Sequence, residues 1–74
     1  MFVKYKDIDD DSNVSMYEIG SDYISIIFNS AQRIYTYTYR SAGTHHVERM
    51  KVLAKTGDGL NAYVNKYCRN LYRK

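Results

Sequence analysis

The chemistry-bearing residues crowd into the last ten positions. In Asn65-Lys66-Tyr67-Cys68-Arg69-Asn70-Leu71-Tyr72-Arg73-Lys74, the basic residues Lys66, Arg69 and Arg73 recur at i, i+3 and i+7, with Lys74 beside them and Lys55 one element earlier. On one helix face such a stripe grips two or three phosphates, and Lys51 would extend it. Ordinary solvated surfaces carry the same pattern, and basic groups also suit the last turn of a helix. Asn65, Arg69 and Tyr72 form a second set at i, i+4 and i+7, presenting an amide, a guanidinium and a phenol together. That trio either binds a phosphate and a base or ties its helix to the rest of the fold, with Asn65 satisfying loop amides around Gly57–Gly59.

Three tyrosines alternate in Tyr35, Tyr37 and Tyr39, which puts three rings on one side of a strand and Ile34, Thr36 and Thr38 on the other. A sheet that displays such rings stacks single-stranded bases, whereas a sheet that buries them uses them as core. Threonine belongs on a solvated pleat more readily than tyrosine, so the core reading is the stronger. Gly57-Asp58-Gly59 before a helix reads as a C-cap rather than an anion loop. Asp7, Asp9, Asp11 and Glu18 match positions 1, 3, 5 and 12 of a calcium loop, but Ser12 stands where the turn needs glycine. His45 and His46 are helical neighbours that point apart, and Cys68 falls on an apolar stripe as a core filler. No base–nucleophile pair, carboxylate pair or metal set emerges, so the expectation is a binding module without catalysis, cofactor or metal.

These residues must be held by a small scaffold. The chain has 74 residues, no proline and one cysteine, which allows one core, no intrachain disulfide and packing alone for stability. Without an apolar run of membrane-spanning length or a signal-peptide core, the expected location is the cytoplasm. Charge is divided unevenly: residues 1–37 hold three Lys/Arg and six Asp/Glu, net −3, while residues 38–74 hold eight and two, net +6. The basic half is the face for an anionic partner.

Residues 1–13 read as an arm and an acidic loop, and residues 14–74 as a single domain. Val14–Ile19, Tyr23–Phe28 and Ile34–Tyr39 alternate with period two, separated by Gly20-Ser21-Asp22 and Asn29–Gln32, and predict a three-stranded antiparallel meander. After a Ser41–Thr44 loop, Val47, Met50, Leu53 and Ala54 predict a helix over His45–Lys55 capped by Thr44. Leu60, Tyr63, Val64, Tyr67, Cys68 and Leu71 predict a second, running through Leu71. The fold class is therefore α+β, βββαα, with both helices on one face of the sheet. Core positions are Ile24, Ile26, Phe28, Met50, Leu53, Leu60, Val64 and Leu71.

Asn65, Cys68, Arg69 and Tyr72 resemble the signature of the KTSC domain family, asparagine, two residues, an aliphatic, arginine, two residues and tyrosine, with Cys68 standing for the aliphatic. Ile19-Gly20 and the alternating Tyr37 and Tyr39 agree with it in order, and the likeness spans about residues 12 to 74. The family takes its name from a domain at the C-terminus of some lysyl-tRNA synthetases. The resemblance implies a small α+β domain and, through that association, RNA binding; Asn65, Arg69 and Tyr72 are the residues that match, with the binding role falling on Arg69 and a structural tie favoured for Asn65 and Tyr72. The expected partner is thus RNA or another nucleic acid on Lys55, Lys66, Arg69, Tyr72, Arg73 and Lys74. The competing class is a protein-interaction module: a small inhibitor or accessory protein of mobile-element type, or a homodimer joined along an edge strand.

Overall fold

The computed structural model describes residues 1–6 and 13–73, and of residues 31 and 32 the backbone alone. Asp7, Asp9, Asp11 and Lys74 lie outside the described residues. The chain is α+β: a four-stranded antiparallel sheet followed by helices. Strands β1 (Val3–Lys4), β2 (Val14–Ile19), β3 (Tyr23–Phe28) and β4 (Ala31–Thr38) pair in sequence order, each with the next. The meander expected from the alternating runs is present, with β2 and β3 spanning the expected residues. The fourth strand comes from the N-terminal arm. Val3 pairs with Tyr17 and Lys4 with Met16, and the Tyr5 amide then donates to the Ser15 carbonyl at 3.0 Å. Only two residues pair, too few for periodicity to disclose a strand.

Register fixes the faces. Ile24 sits opposite Tyr37 and Ile26 opposite Tyr35, while Tyr17 and Ile19 face the same pair from β2. This side carries the core: Ile24, Ile26 and Tyr37 are buried with Val47, Met50, Leu60, Val64 and Cys68 of the helical layer. Phe28, Leu53 and Leu71, expected in the core, pack against its margin. The alternating tyrosines are therefore core residues, with Tyr37 1% exposed and Tyr35 and Tyr39 half-buried around it. The opposite face holds Ile27, Ile34, Ser25 and Thr36, the last two joined hydroxyl to hydroxyl at 2.8 Å. Tyr5 adds to the core from the arm: it is 2% exposed, and its hydroxyl accepts from the Leu60 amide at 3.4 Å.

Helical structure begins earlier than expected, inside the Tyr39 to Thr44 stretch. Thr38 closes β4 and caps α1 (Tyr39–Ala42): its Oγ1 accepts from the Ser41 amide at 2.9 Å, and the Ser41 Oγ accepts from the Thr38 amide at 3.0 Å. This reciprocal box turns the chain out of the sheet. Helix α2 (Thr44–Thr56) follows from Gly43, which at φ 94° takes a backbone that L side chains rarely adopt. Gly43, rather than Thr44, is the N-cap. Gly57 ends α2 in the left-handed conformation, its amide donating to the Leu53 carbonyl at 2.9 Å.

The last helix departs most from expectation. Helix α3 (Leu60–Tyr63) opens after one turn into a π-helical segment (Val64–Cys68), and the helical path ends there instead of reaching Leu71. A π turn closes i to i+5 and takes up more residues than the roughly 3.6 of an α turn. One α turn followed by one π turn makes a spacing of four almost straight, so Leu60, Val64 and Cys68 line up as a fully buried stripe. Tyr63 and Tyr67 are carried to one shoulder of that stripe and Asn61, Asn65 and Arg69 to the other, leaving Ala62 and Lys66 on the exposed back.

Candidate nucleic-acid interface

The two shoulders present different chemistry. On the first, α2 and the π segment assemble an aromatic cluster. The His46 Nδ1 and the Tyr63 hydroxyl lie 2.8 Å apart in a hydrogen bond. The Tyr67 ring stacks on His46 with centroids 6.1 Å apart and planes at 23°, and it meets Tyr63 at 4.8 Å. His45 extends the row, 5.4 Å from His46. Cations rim the cluster: the Lys66 Nζ is 5.2 Å from the Tyr67 centroid, and the Arg49 charge reaches Tyr63. Burial pushes the Tyr63 phenol above its ordinary range despite that cation. Tyr67, expected on the apolar stripe, is 49% exposed because the π turn moves the stripe away from it.

The second shoulder faces the sheet across a cleft of about 370 Å³. Asn61, Asn65 and Arg69 form one wall, Tyr35, Tyr37 and Tyr72 another, and the β3–β4 turn closes an end. At that end Asn13 braces Ser30: its Oδ1 accepts from the Ser30 amide at 3.1 Å, and its Nδ2 donates to the Ser30 Oγ at 2.8 Å. Tyr72 meets Tyr35 edge-on at 4.9 Å and Tyr37 at 6.4 Å, so it is the residue that ties the C-terminal tail to the sheet. The Arg33 guanidinium covers the Tyr35 and Tyr72 rings at 5.2 and 5.9 Å. Burial drives the Tyr37 phenol far above its ordinary range.

The expected basic stripe is not continuous. Arg73 lies beyond the helical path; its amide donates to the Thr36 carbonyl at 2.6 Å, and its residue lines a hollow with Glu18, Asp22 and Tyr23, away from Arg69. Lys66 stands on the exposed back of the π segment and Lys55 at the exposed end of α2. Lys51, read as an extension of the stripe, is buried: its Nζ donates to the Ser21 carbonyl at 3.1 Å, pairs with Glu48 at 2.9 Å and lies 5.5 Å from the Tyr39 centroid. Lys51 is thus an anchor between α2 and the β2–β3 turn, and Glu48, which also accepts from the Tyr39 hydroxyl at 2.5 Å, is held below the ordinary carboxylate range chiefly by that phenol. Asn65 is exposed and makes no side-chain hydrogen bond to the Gly57–Gly59 loop among the described residues. Of the expected trio, Asn65, Arg69 and Tyr72 do converge, all three lining one cleft.

Glu18, the twelfth residue of the calcium-loop pattern, sits in β2, where it pairs with the Met1 ammonium group and accepts from the Tyr23 hydroxyl at 3.0 Å. Those partners hold its carboxyl below the usual range, the N-terminal ammonium first. Among the described residues no group of three His, Cys, Asp or Glu side chains is placed to hold a metal ion, and no helix is long and apolar enough to cross a membrane. Cys68 is a fully buried free thiol whose pKa burial raises, the setting of a packing residue. No family model, curated protein or solved structure matches the chain.

Proposed function

We propose that the protein is a non-enzymatic binding module for single-stranded nucleic acid, RNA by preference, and that its contact surface is the aromatic shoulder of α2 and the π segment. The observation that carries this reading is the Tyr67 ring, half open to solvent, stacked on His46 and flanked by the Lys66 ammonium. An exposed ring beside a cation suits an unpaired base with its phosphate, because every base offers a π face and aromatic stacking contributes about 1–3 kcal/mol per base. Arg49, three residues on from His46, extends the positive surface along α2. The net +6 of residues 38–74 supplies the long-range attraction. The KTSC resemblance at Asn65, Arg69 and Tyr72 supports an RNA role by analogy, and a cytoplasmic location agrees with the single, buried thiol.

Fluorescence anisotropy of a labelled single-stranded RNA, measured at two salt concentrations against a duplex DNA, tests the reading. Binding should weaken steeply with salt and favour the single strand. Absence of binding at low salt refutes it.

A second reading, a protein-interaction module, has its own observation. The helices cover one face of the sheet, whereas the other leaves Ile34 54% exposed beside Ile27. An accessory protein or a second copy would dock there rather than on the tyrosines, which are core. Light scattering of the purified protein separates the two: a monomer across the micromolar range counts against the homodimer.

A further inference from the structure

The amide-lined cleft differs in kind from the stacking shoulder. Its helix-side wall is polar, and the functional groups there are unengaged: the side chains of Asn61, Asn65, Asn70 and Arg69 make no hydrogen bond or ion pair among the described residues. A surface asparagine without a protein partner is ordinary, but three together with a guanidinium around one concavity are concentrated donor capacity. No acidic side chain lines the cleft among the described residues. Arg33 covers the Tyr35 and Tyr72 rings of one wall from outside the cleft lining, which leaves Arg69 as the cation that lines it among the described residues.

We propose that this cleft binds a mononucleotide, with the phosphate on Arg69 and the base against the amides of Asn61 and Asn65. Charge and geometry select the phosphate. Arg69 presents a planar fork of N–H donors that two phosphate oxygens meet together, and no acidic side chain opposes an anion there among the described residues. The asparagines select the base. Asn61 and Asn65 are four apart on the same shoulder, and a planar amide pairs a donor and an acceptor side by side, the pattern that adenine presents along one edge. At about 370 Å³ the cleft has the size of a small-molecule site, for which about 300–1,000 Å³ is typical. The wall opposite is fixed by the edge-on contacts of Tyr72 with Tyr35 and Tyr37, so the site is largely formed before a ligand arrives.

This site is separate from the strand-binding shoulder, since the buried stripe of Leu60, Val64 and Cys68 lies between them. Each can therefore fail alone. The test is a titration of the full-length ¹⁵N-labelled protein with AMP, CMP, GMP and UMP, with inorganic phosphate and adenosine as partial ligands. At least one nucleotide should shift the side-chain amide signals of Asn61 and Asn65 and the Nε–H of Arg69 in a saturable way, leaving the Tyr67 backbone amide unmoved. Arg69→Gln, at an exposed position, should weaken that binding about tenfold or more, the loss of one charge-assisted contact, and Asn65→Ala should weaken it while sparing inorganic phosphate. Tyr67→Ala should leave it unchanged. No saturable shift with any of the four nucleotides overturns the proposal, as do shifts centred on Tyr67 and Lys66. Inorganic phosphate binding as tightly as the nucleotides also overturns it, because the base would then contribute nothing.

Discussion

Tyr5→Ala removes a ring that is 2% exposed, although it belongs to a segment that reads as an arm outside the domain. Its hydroxyl accepts from the amide that opens α3, and its ring meets Tyr17 edge-on at 6.5 Å. Truncating a buried aromatic to alanine costs about 3–5 kcal/mol, from lost transfer energy and the cavity left behind. A 74-residue domain has a total stability of about 4–11 kcal/mol at ordinary values per residue, so one change in the arm should remove about a quarter of the stability or more. Tyr5→Phe separates the ring from its hydroxyl. The lost contact is long, 3.4 Å, and the cost should fall near the low end of the 1–3 kcal/mol range for an unsatisfied buried donor, about 1 kcal/mol. Urea unfolding followed by far-UV circular dichroism measures both, with an unchanged m-value showing that the denatured state is the same. If Tyr5→Ala stays within 0.5 kcal/mol of the parent, about the noise of a surface substitution, β1 is an appendage and the packing described for it is wrong.

Three further outcomes follow from other contacts. Tyr67→Ala combined with Lys66→Gln should leave the urea midpoint almost unchanged while costing single-stranded RNA binding about 1–3 kcal/mol by anisotropy, whereas Leu60→Ala, on the buried stripe, should lower stability by about 2–5 kcal/mol. Thermal melts should show a loss of stability at alkaline pH: burial raises Tyr37, Tyr63 and Cys68, and hydrogen bonds to Glu18 and Glu48 raise Tyr23 and Tyr39, so their contribution is full below the ordinary values of 9.0 for thiol and 10.0 for phenol and is lost as pH climbs through the folded values. A melting temperature flat to pH 11 would contradict those environments. Gly20→Ala should cost about 1–3 kcal/mol in the same melts, since its new methyl would overlap the Tyr23 ring, and Gly20→Ala with Tyr23→Ala should recover much of that added cost.

The strands from Val14 to Phe28 and the helix over Thr44–Thr56 were legible because each repeats its period several times, and Ile24, Ile26, Met50, Leu60 and Val64 followed as core. What escaped had no period to show. The two paired residues of β1 sit beside an acidic cluster that reads as loop, and α1 is a single turn set by the Thr38–Ser41 box within a run of alternating tyrosines. The π segment hid for a subtler reason: an α-helical pattern through Leu71 is as good as the true one, and only the four-residue interval of Leu60, Val64 and Cys68 against half-exposed Tyr67 distinguishes them. At the candidate site, the pairing of Asn65 with Arg69 was legible from spacing, whereas Tyr72, expected on the same helix face, reaches the cleft from the tail beyond the helical path. The His46–Tyr63–Tyr67 cluster was not, because its histidine and tyrosines come from different elements that meet only in the fold.

The bond from the Arg73 amide to the Thr36 carbonyl gives the C-terminus an unexpected office. Strand β4 is the last in the sheet and β1 the first, so one end of the chain lies along each border of the sheet. An unguarded border is a template on which foreign strands can polymerise. Deletion of the chain from Arg73 onward would leave the proposed contact groups upstream of Leu71 in place, yet would open β4 to its neighbours. The trimmed protein should then be limited in storage by fibril growth rather than by unfolding, with intact chains acting as poor recruits to those fibrils because their own tails already occupy the seam.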